Sequence, residues 1–106
     1  MAKKLKPIHS GEHLREDFMN PLGLSSDGLA RALGVTALLI NEIIRERRGI
    51  TADTALRLAR YFRTDAQSWL NLQSHYDLQC AQDDVGPTLT RIRPFKKKRE
   101  TATTTH

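Results

Sequence analysis

Three groups of side chains in this sequence have types and spacings that could support chemistry: a cysteine near a histidine, a pair of histidines, and a cluster of arginines. Cys80, the single cysteine, lies five residues after His75. On a helix this separation points the two side chains in different directions, so no base is placed beside the thiol. Cys80 is therefore expected to be a structural thiol, which fits a reducing compartment.

The pair of histidines does not predict a metal site. His9 and His13 are four residues apart, but Gly11 lies between them and no further Cys/His cluster completes a ligand set. The sequence also has no HExxH motif, no Gly-rich phosphate loop and no nucleophile elbow. We therefore expect a protein that is not an enzyme and that uses no metal and no cofactor.

The cluster of arginines indicates contact with a polyanion. The 106-residue chain has a formal net charge of +5, and this charge is unevenly distributed. Acidic residues dominate the stretch 10–27, whereas arginines dominate the stretch 45–63. The arginines of the second stretch are Arg45, Arg47, Arg48, Arg57, Arg60 and Arg63. Since an isolated surface arginine is usually only solvated, the meaning of the cluster depends on the elements that position it.

Those elements belong to a single domain, because a chain of 106 residues has the length of one ordinary domain. No stretch approaches the roughly 18 consecutive apolar residues that a membrane-spanning helix needs. Lys3, Lys4 and Lys6 are followed by Pro7, where a signal peptide would carry its apolar stretch. We expect a cytoplasmic protein without a membrane partner.

Helical periodicity predicts an all-α fold of five short helices, and strand signals are essentially absent. Each helix follows a residue that can cap its first turn. The candidate caps are Ser10 with Gly11, Ser25 with Ser26, Thr36, Thr51 and Asp65. Asn20 and Pro21 are expected to end the first helix. Because the apolar period ends near Gln82, we divide the chain into a basic N-terminal segment (1–8), a helical domain (9–82) and a flexible basic tail (83–106).

A very short turn separates the second and third helices. Gly34 can adopt the left-handed conformation that ends a helix, and Thr36 starts the next helix at once. Ala30 keeps the crossing helices close, while Ile40 fills the space between them. This arrangement is typical of a helix-turn-helix, whose third helix presents an N-terminal turn to phosphate and a polar face to the major groove of DNA. Helical protein-interaction modules share the spacing, so that alternative stays open.

The predicted contacts with DNA lie on the third helix and beside it. Candidate base contacts are Thr36, Ala37, Leu38, Asn41 and Arg45. Asn41 suits adenine, and Arg45 suits guanine or phosphate. Candidate phosphate contacts are Ser26, Arg47 and Arg48. Such contacts need only a donor near the backbone, and for each arginine simple solvation is the alternative.

The stretch from His9 to Tyr76 resembles the HigA-type antitoxins, also known as VapI-like or addiction-module antidote proteins, within the Xre and Cro/C1-type helix-turn-helix group. The phrases that carry the resemblance are "HSGEHLREDFMNPLGLS", "LARALGV", "INEIIRERRGITADTALRLARYF" and "WLNLQSHYDL". "GITADTALRLARYF" and "WLNLQ" separate this family from generic helix-turn-helix proteins. The resemblance implies a λ-repressor-like domain that binds double-stranded operator DNA as a homodimer and represses its own operon.

The resemblance also implies a protein partner, an mRNA-cleaving toxin of the RelE/HigB-like class that this protein neutralises. A stand-alone Xre-type regulator without a toxin is the alternative. The chain departs from the family where prolines, a serine and an arginine often precede the isoleucine of the third helix. Here those positions hold Thr36, Ala37, Leu38 and Leu39. Ala37 or Leu38 could instead pack on thymine methyl groups, unless Leu39 is core and Leu38 is only partly exposed.

Specific DNA sites are generally bound by two-fold dimers, so a dimer is expected. The fifth helix is the candidate interface, because it offers more apolar area than one short helix needs for one core. The predicted interface residues are Trp69, Leu70, Leu72, Tyr76 and Leu78. Trp69 and Leu72 could equally belong to the chain's own core. The run "FKKKRE" near the end is a nucleic-acid arm, a localisation-like signal or a solvated tail. The toxin could contact either this tail or the N-terminal lysines and His9, and the sequence does not decide between them.

Overall fold

A computed structural model describes residues 7–96 of the chain. The lysines of the N-terminal segment, the run from residue 97 onward and the predicted flexibility of the chain end lie outside the described residues. Within 7–96 the structure contains helices and no strands, which confirms the predicted all-α, five-helix fold. The first helix, α1, has three contiguous segments, Ser10–His13, Leu14–Met19 and Asn20–Leu22; it is followed by α2 (Ser26–Leu33), α3 (Ala37–Ile44), α4 (Ala52–Phe62) and α5 (Ala66–Leu89).

Helix α1 runs past the predicted stop at Pro21. Its middle segment is π-helical, and the Asn20 amide donates to the Arg15 carbonyl five residues back. Pro21 lies at the second position of the last segment and has no N–H, so the preceding turn loses one helical hydrogen bond there, close to the end of the helix. The helix ends at Gly23, which has a left-handed φ of 65°. The helix therefore extends one residue beyond the predicted end at Asn20 and Pro21.

Side-chain caps start every helix. Ser25, Thr36, Thr51 and Asp65 each accept a hydrogen bond from the amide three residues later, as predicted. Helix α1 differs, because His9 is its cap and accepts from the Gly11 amide at 2.8 Å through Nδ1. Ser10, the predicted cap, is fully buried, and its hydroxyl donates to Oε1 of Gln73 on α5.

The core is made of aliphatic side chains from the first four helices and one aromatic side chain from α5. Its fully buried members include Leu14, Leu29, Ile40, Ile43 and Leu58, and Trp69 is 3% exposed. Half-buried residues such as Phe18 and Phe62 pack around this centre, with ring centroids 4.6 Å apart. Helices α2 and α3 are thus held by the packing of α4 and α1, and these two helices pack in turn against α5.

Helix α5 continues beyond the predicted domain boundary at residue 82. Residues 83–89, placed in the tail by the sequence, are helical and largely exposed, and Pro87 is accommodated inside the helix. Only Trp69 and Gln73 of this helix are buried. The apolar period therefore ends because the helix leaves the core, not because the helix ends. No helix in the part of the chain that the structure describes is long and apolar enough to cross a membrane.

Candidate nucleic-acid interface

The corner between α2 and α3 has the predicted geometry. Gly34 has a φ of 75°, its amide donates to the Arg31 carbonyl, and the Val35 amide donates to the Ala30 carbonyl at 3.0 Å. This pair of bonds is a Schellman motif, which ends a helix on a left-handed residue. Ala30 is 3% exposed and Ile40 is fully buried, so both pack inside the crossing as expected. The corner confirms the predicted helix-turn-helix.

An arginine from α4 binds the same corner. Nη1 of Arg57 donates to the Leu33 carbonyl at 2.7 Å and lies 3.4 Å from the Gly34 carbonyl. Its Nε donates to Oδ1 of Asp53 at 2.5 Å. The last carbonyls of a helix lack partners within it, and a cation there also opposes the negative end of the helix dipole. Arg57 therefore fixes the end of α2, a role that the sequence analysis missed.

A second arginine binds the end of α3, the candidate recognition helix. Nη1 of Arg15 donates to the carbonyl of Ile44, the last residue of α3, and Nη2 lies 3.8 Å from Oε2 of Glu46. Glu46 has a left-handed φ of 60°, an uncommon conformation for a residue with a side chain. Arg15 thus connects α1 to the end of α3 and to the strained residue that follows it.

The backbone of α1 lies directly against the end of α3. A Cβ atom built on Gly11 would lie 1.8 Å from the carbonyl oxygen of Ile43. No side chain fits at this distance, so the approach of α1 to α3 requires glycine. The sequence contained one usable signal, the isolated Gly11 within the first turn of a helix. Its partner, more than thirty residues later, could not be identified from the sequence.

The predicted base contacts are distributed along α3. Thr36, Leu38 and Arg45 are exposed, whereas Ala37 and Asn41 are half-buried. Leu38 is 65% exposed, and Leu39 packs against the core. The predicted contacts at 38, 41 and 45 follow helical spacing, so one outward surface presents an apolar side chain, an amide and the arginine beyond the last turn. Ala37 packs against the core and offers less surface to a ligand.

The predicted phosphate contacts differ in their electrostatic surroundings. Nη2 of Arg48 lies 2.8 Å from Oε1 of Glu42, an ion pair without hydrogen-bond geometry. Arg45 and Arg47 form no ion pair with any residue between 7 and 96. Ser26 is the first residue of α2 and is half-buried. Arg47 therefore has the more available charge, and Arg48 is partly neutralised.

The residues of the predicted dimer interface have different surroundings. Trp69 is 3% exposed and its Nε1 donates to Oγ1 of Thr64 at 2.8 Å, so it belongs to the chain's own core. Leu70 packs against that core. The ring of Tyr76 packs edge to face against His9, with centroids 4.8 Å apart. Leu78 is 58% exposed. The expectation that Trp69 offers surface to a second chain is corrected, and the dimer itself stays a prediction.

His9 belongs, with the N-terminal lysines, to one of the two toxin contacts that the sequence left open, but its side chain is covered. It is 3% exposed, lies against Tyr76 and caps α1. Burial lowers the pKa of His9 below its usual value of 6.5, and the carboxylates of Glu46, Asp77 and Glu12 oppose that shift. His9 is therefore a neutral structural acceptor rather than a surface group.

The fold and the geometry of the corner agree with known proteins. The chain belongs to the helix-turn-helix family, whose sequence pattern matches residues 15–69. Within that family it groups with the Xre-type HigA antitoxins, which confirms the resemblance predicted from the sequence.

Three comparisons support this grouping. Virulence-associated protein I of Dichelobacter nodosus is 60% identical over 81 residues, which cover 76% of this chain and 75% of that protein. The structure of the Pseudomonas aeruginosa antitoxin HigA with the higBA promoter has a TM-score of 0.80 and 49% identity, covering 85% of this chain and 99% of that one. The structure of the antitoxin GraA has a TM-score of 0.83 and 43% identity, and the match covers 87% of this chain and 100% of that one.

Proposed function

We propose that this protein is a sequence-specific DNA-binding antitoxin, which represses its own operon as a dimer and neutralises a RelE/HigB-like, mRNA-cleaving toxin. The observation that carries the proposal is the outward surface of α3, with Arg57 bound at the turn before this helix and Arg15 bound at its end. The proposal is supported by the similarity to the Pseudomonas aeruginosa antitoxin HigA, whose structure includes the higBA promoter. The protein would then be cytoplasmic, and nucleoid-associated when bound to its operator.

In this proposal α3 enters the major groove and its exposed side chains read base edges. The amide of Asn41 matches the donor and acceptor pair of adenine, and Leu38 packs on a thymine methyl group. Arg45 reaches guanine or a flanking phosphate. Thr36 accepts the capping bond of Leu39 at 3.1 Å, which leaves its hydroxyl proton for an acceptor on the DNA.

Phosphate contacts would set the position of α3 in the groove. Ser26 lies at the start of α2, where amides and the positive end of the helix dipole favour an anion. Arg47 and Arg48 follow α3 and would reach the backbone beside the groove. Because Arg48 pairs with Glu42 at 2.8 Å, part of its charge is already compensated, and Arg47 is the stronger phosphate contact of the two.

A dimer would place two such helices about 34 Å apart, one turn of DNA. The exposed half of α5 supplies the apolar surface that the predicted interface needs. Leu78, Val85 and Leu89 are 58%, 39% and 48% exposed, and their spacing of seven and four places them along one face of the helix. We therefore propose an interface centred on Leu78 and continued by Val85 and Leu89. Leu70, Leu72 and Tyr76 lie closer to the core.

A titration against the DNA upstream of the gene, compared with a scrambled duplex at several salt concentrations, tests the proposal. Specific binding predicts a higher affinity for the upstream DNA at every salt concentration. Arg47→Ala should weaken binding to both duplexes and reduce the slope of log K against log salt by about one unit. Arg60→Ala on α4, outside the predicted interface, is the matched control. Equal affinity for both duplexes would refute operator recognition.

Co-purification with the product of the adjacent gene tests the toxin partnership. The proposal expects a stable complex and loss of the RNA-cleaving activity of that product in the complex. If operator binding is found but no adjacent product binds, the stand-alone regulator is the better interpretation.

A further inference from the structure

A cleft of about 550 Å³ lies between α1 and the junction of α4 with α5. Its main lining residues are Ile8, His13, Phe18, Asp65, Trp69 and Leu72. None of the residues lining the cleft belongs to α3 or to the arginine segment 45–48. An occupant of the cleft would therefore leave the proposed DNA-binding residues uncovered.

Three aromatic rings in mutual contact form part of the cleft wall. The ring centroids of Phe18 and Trp69 are 5.3 Å apart, and the ring of His13 lies 5.1 Å from Trp69 and 5.2 Å from Phe18. Ile8, 46% exposed, and the half-buried Leu72 add aliphatic surface. Leu72 lines the cleft and is half-buried, so the exposed part of its side chain is available to an occupant.

Among the described residues 7–96 that line the cleft, carboxylates and no lysine or arginine accompany these rings. Asp65 lines the cleft, and Asp17, whose side chain is 61% exposed, lies 2.6 Å from His13. An aromatic wall with a carboxylate at its edge suits a long cationic side chain, because the aliphatic stem packs on the rings and the charged head meets the carboxylate. An anionic occupant would meet repulsion at the same edge.

We infer that this cleft receives an arginine- or lysine-bearing segment of the toxin, an inference that rests on the proposed function. A protein that cleaves mRNA needs a basic surface to bind phosphate. The acidic α1 and the carboxylates at the cleft are complementary to such a surface, whereas the arginines after α3 are complementary to DNA. One chain thus binds two partners of opposite charge on separate surfaces, and the toxin complex retains the α3 surface for the operator.

Leu72→Lys places a cation in the cleft and tests the inference in the full-length protein. We expect the affinity for the purified product of the adjacent gene, measured by isothermal titration calorimetry, to fall by at least about tenfold. Affinity for operator DNA should be unchanged. Leu56→Lys is the matched control, since Leu56 is 63% exposed on α4 and outside the cleft. Circular dichroism verifies that both variants are folded.

Asp17→Lys is a second variant that tests the same cleft, for the case in which Leu72→Lys does not fold. Reversing this exposed charge should weaken toxin binding and make it less sensitive to salt. If both variants bind the toxin like the original protein, the cleft inference is overturned while the proposed function stands. If Leu72→Lys converts a dimer to a monomer in sedimentation without changing toxin affinity, the cleft belongs to the dimer interface. If the original protein binds no such toxin, the toxin half of the proposed function fails, and this inference with it.

Discussion

The helix-turn-helix corner and the second half of α5 differ in how much the rest of the chain packs against them. Helices α2 and α3 have eight residues each, too short to be stable alone in water, and both are anchored by buried side chains and by arginines from other helices. Helix α5 has 24 residues, yet its two buried residues, Trp69 and Gln73, lie in its first half. The corner is complete within one chain, whereas the exposed half of α5 has apolar surface that no residue between 7 and 96 covers.

This difference indicates where each kind of substitution acts. Changes in the corner should alter folding and DNA binding together, because the shape of the corner depends on the core. Changes in the second half of α5 should alter assembly and leave the fold of one chain intact.

The largest expected effect comes from truncating the corner's central side chain. Ile40 is fully buried, so Ile40→Ala should reduce the free energy of unfolding by about 2–5 kcal/mol. Leu78→Ala removes a side chain that is 58% exposed and should cost less than about 0.5 kcal/mol at concentrations where the chain is monomeric. Urea unfolding measures both variants. Similar losses would show that α5 is packed against the core along its length.

Removing the arginine at the corner should have the next largest effect. Arg57→Ala leaves the Leu33 carbonyl without its 2.7 Å bond and should cost about 1–2 kcal/mol in unfolding free energy. Operator affinity should also fall, since α2 and α3 lose a fixed relative orientation. Arg60→Ala, on the same helix, removes an equal charge and should leave stability unchanged. Equal effects of the two substitutions would exclude the proposed role of Arg57 at the corner.

A charge on the exposed half of α5 should act on assembly. Leu78→Lys should weaken the proposed dimer by at least about tenfold, roughly 1.4 kcal/mol, and shift it towards monomer in sedimentation. Cooperative unfolding of the monomer should be retained. Gln79→Lys, at the next position and on a different face, provides the control. An unchanged dimer would place the interface elsewhere.

The smallest expected effect is a pH dependence at the start of α1. Because burial holds the pKa of His9 below 6.5 in the folded state, the unfolded chain binds this proton more readily. Stability should therefore fall as the pH drops through 6.5. His9→Asn keeps a side-chain acceptor at the cap without a titrating ring and should reduce this dependence. Urea unfolding of both proteins between pH 7.5 and about pH 5 measures the difference. Parallel pH profiles would contradict the assignment.

Much of the fold could be predicted because its signals are local. Thr36, Thr51 and Asp65 cap the amide three residues away, and Gly34 ends α2 with its own backbone conformation. The outer face of α3 follows from helical spacing once its start is known. Local signals failed for α5, because Leu78, Val85 and Leu89 on its exposed half are too few to form the dense apolar stripe of a core-facing helix, and Gly86 and Pro87 lie among them.

Local signals alone specified five helices, the glycine corner between α2 and α3, and the set of side chains that α3 presents. Tertiary structure alone decided which helix ends are bound by side chains from other helices and which side chains are buried. Arg15 and Arg57 bind carbonyls 29 and 24 positions away, and Ser10 donates to Gln73, 63 positions away. Such pairs form because carbonyls at helix ends and buried polar side chains need partners, which lie wherever the packed helices bring them. The same packing turned Trp69 into core and assembled the aromatic cleft from separate helices.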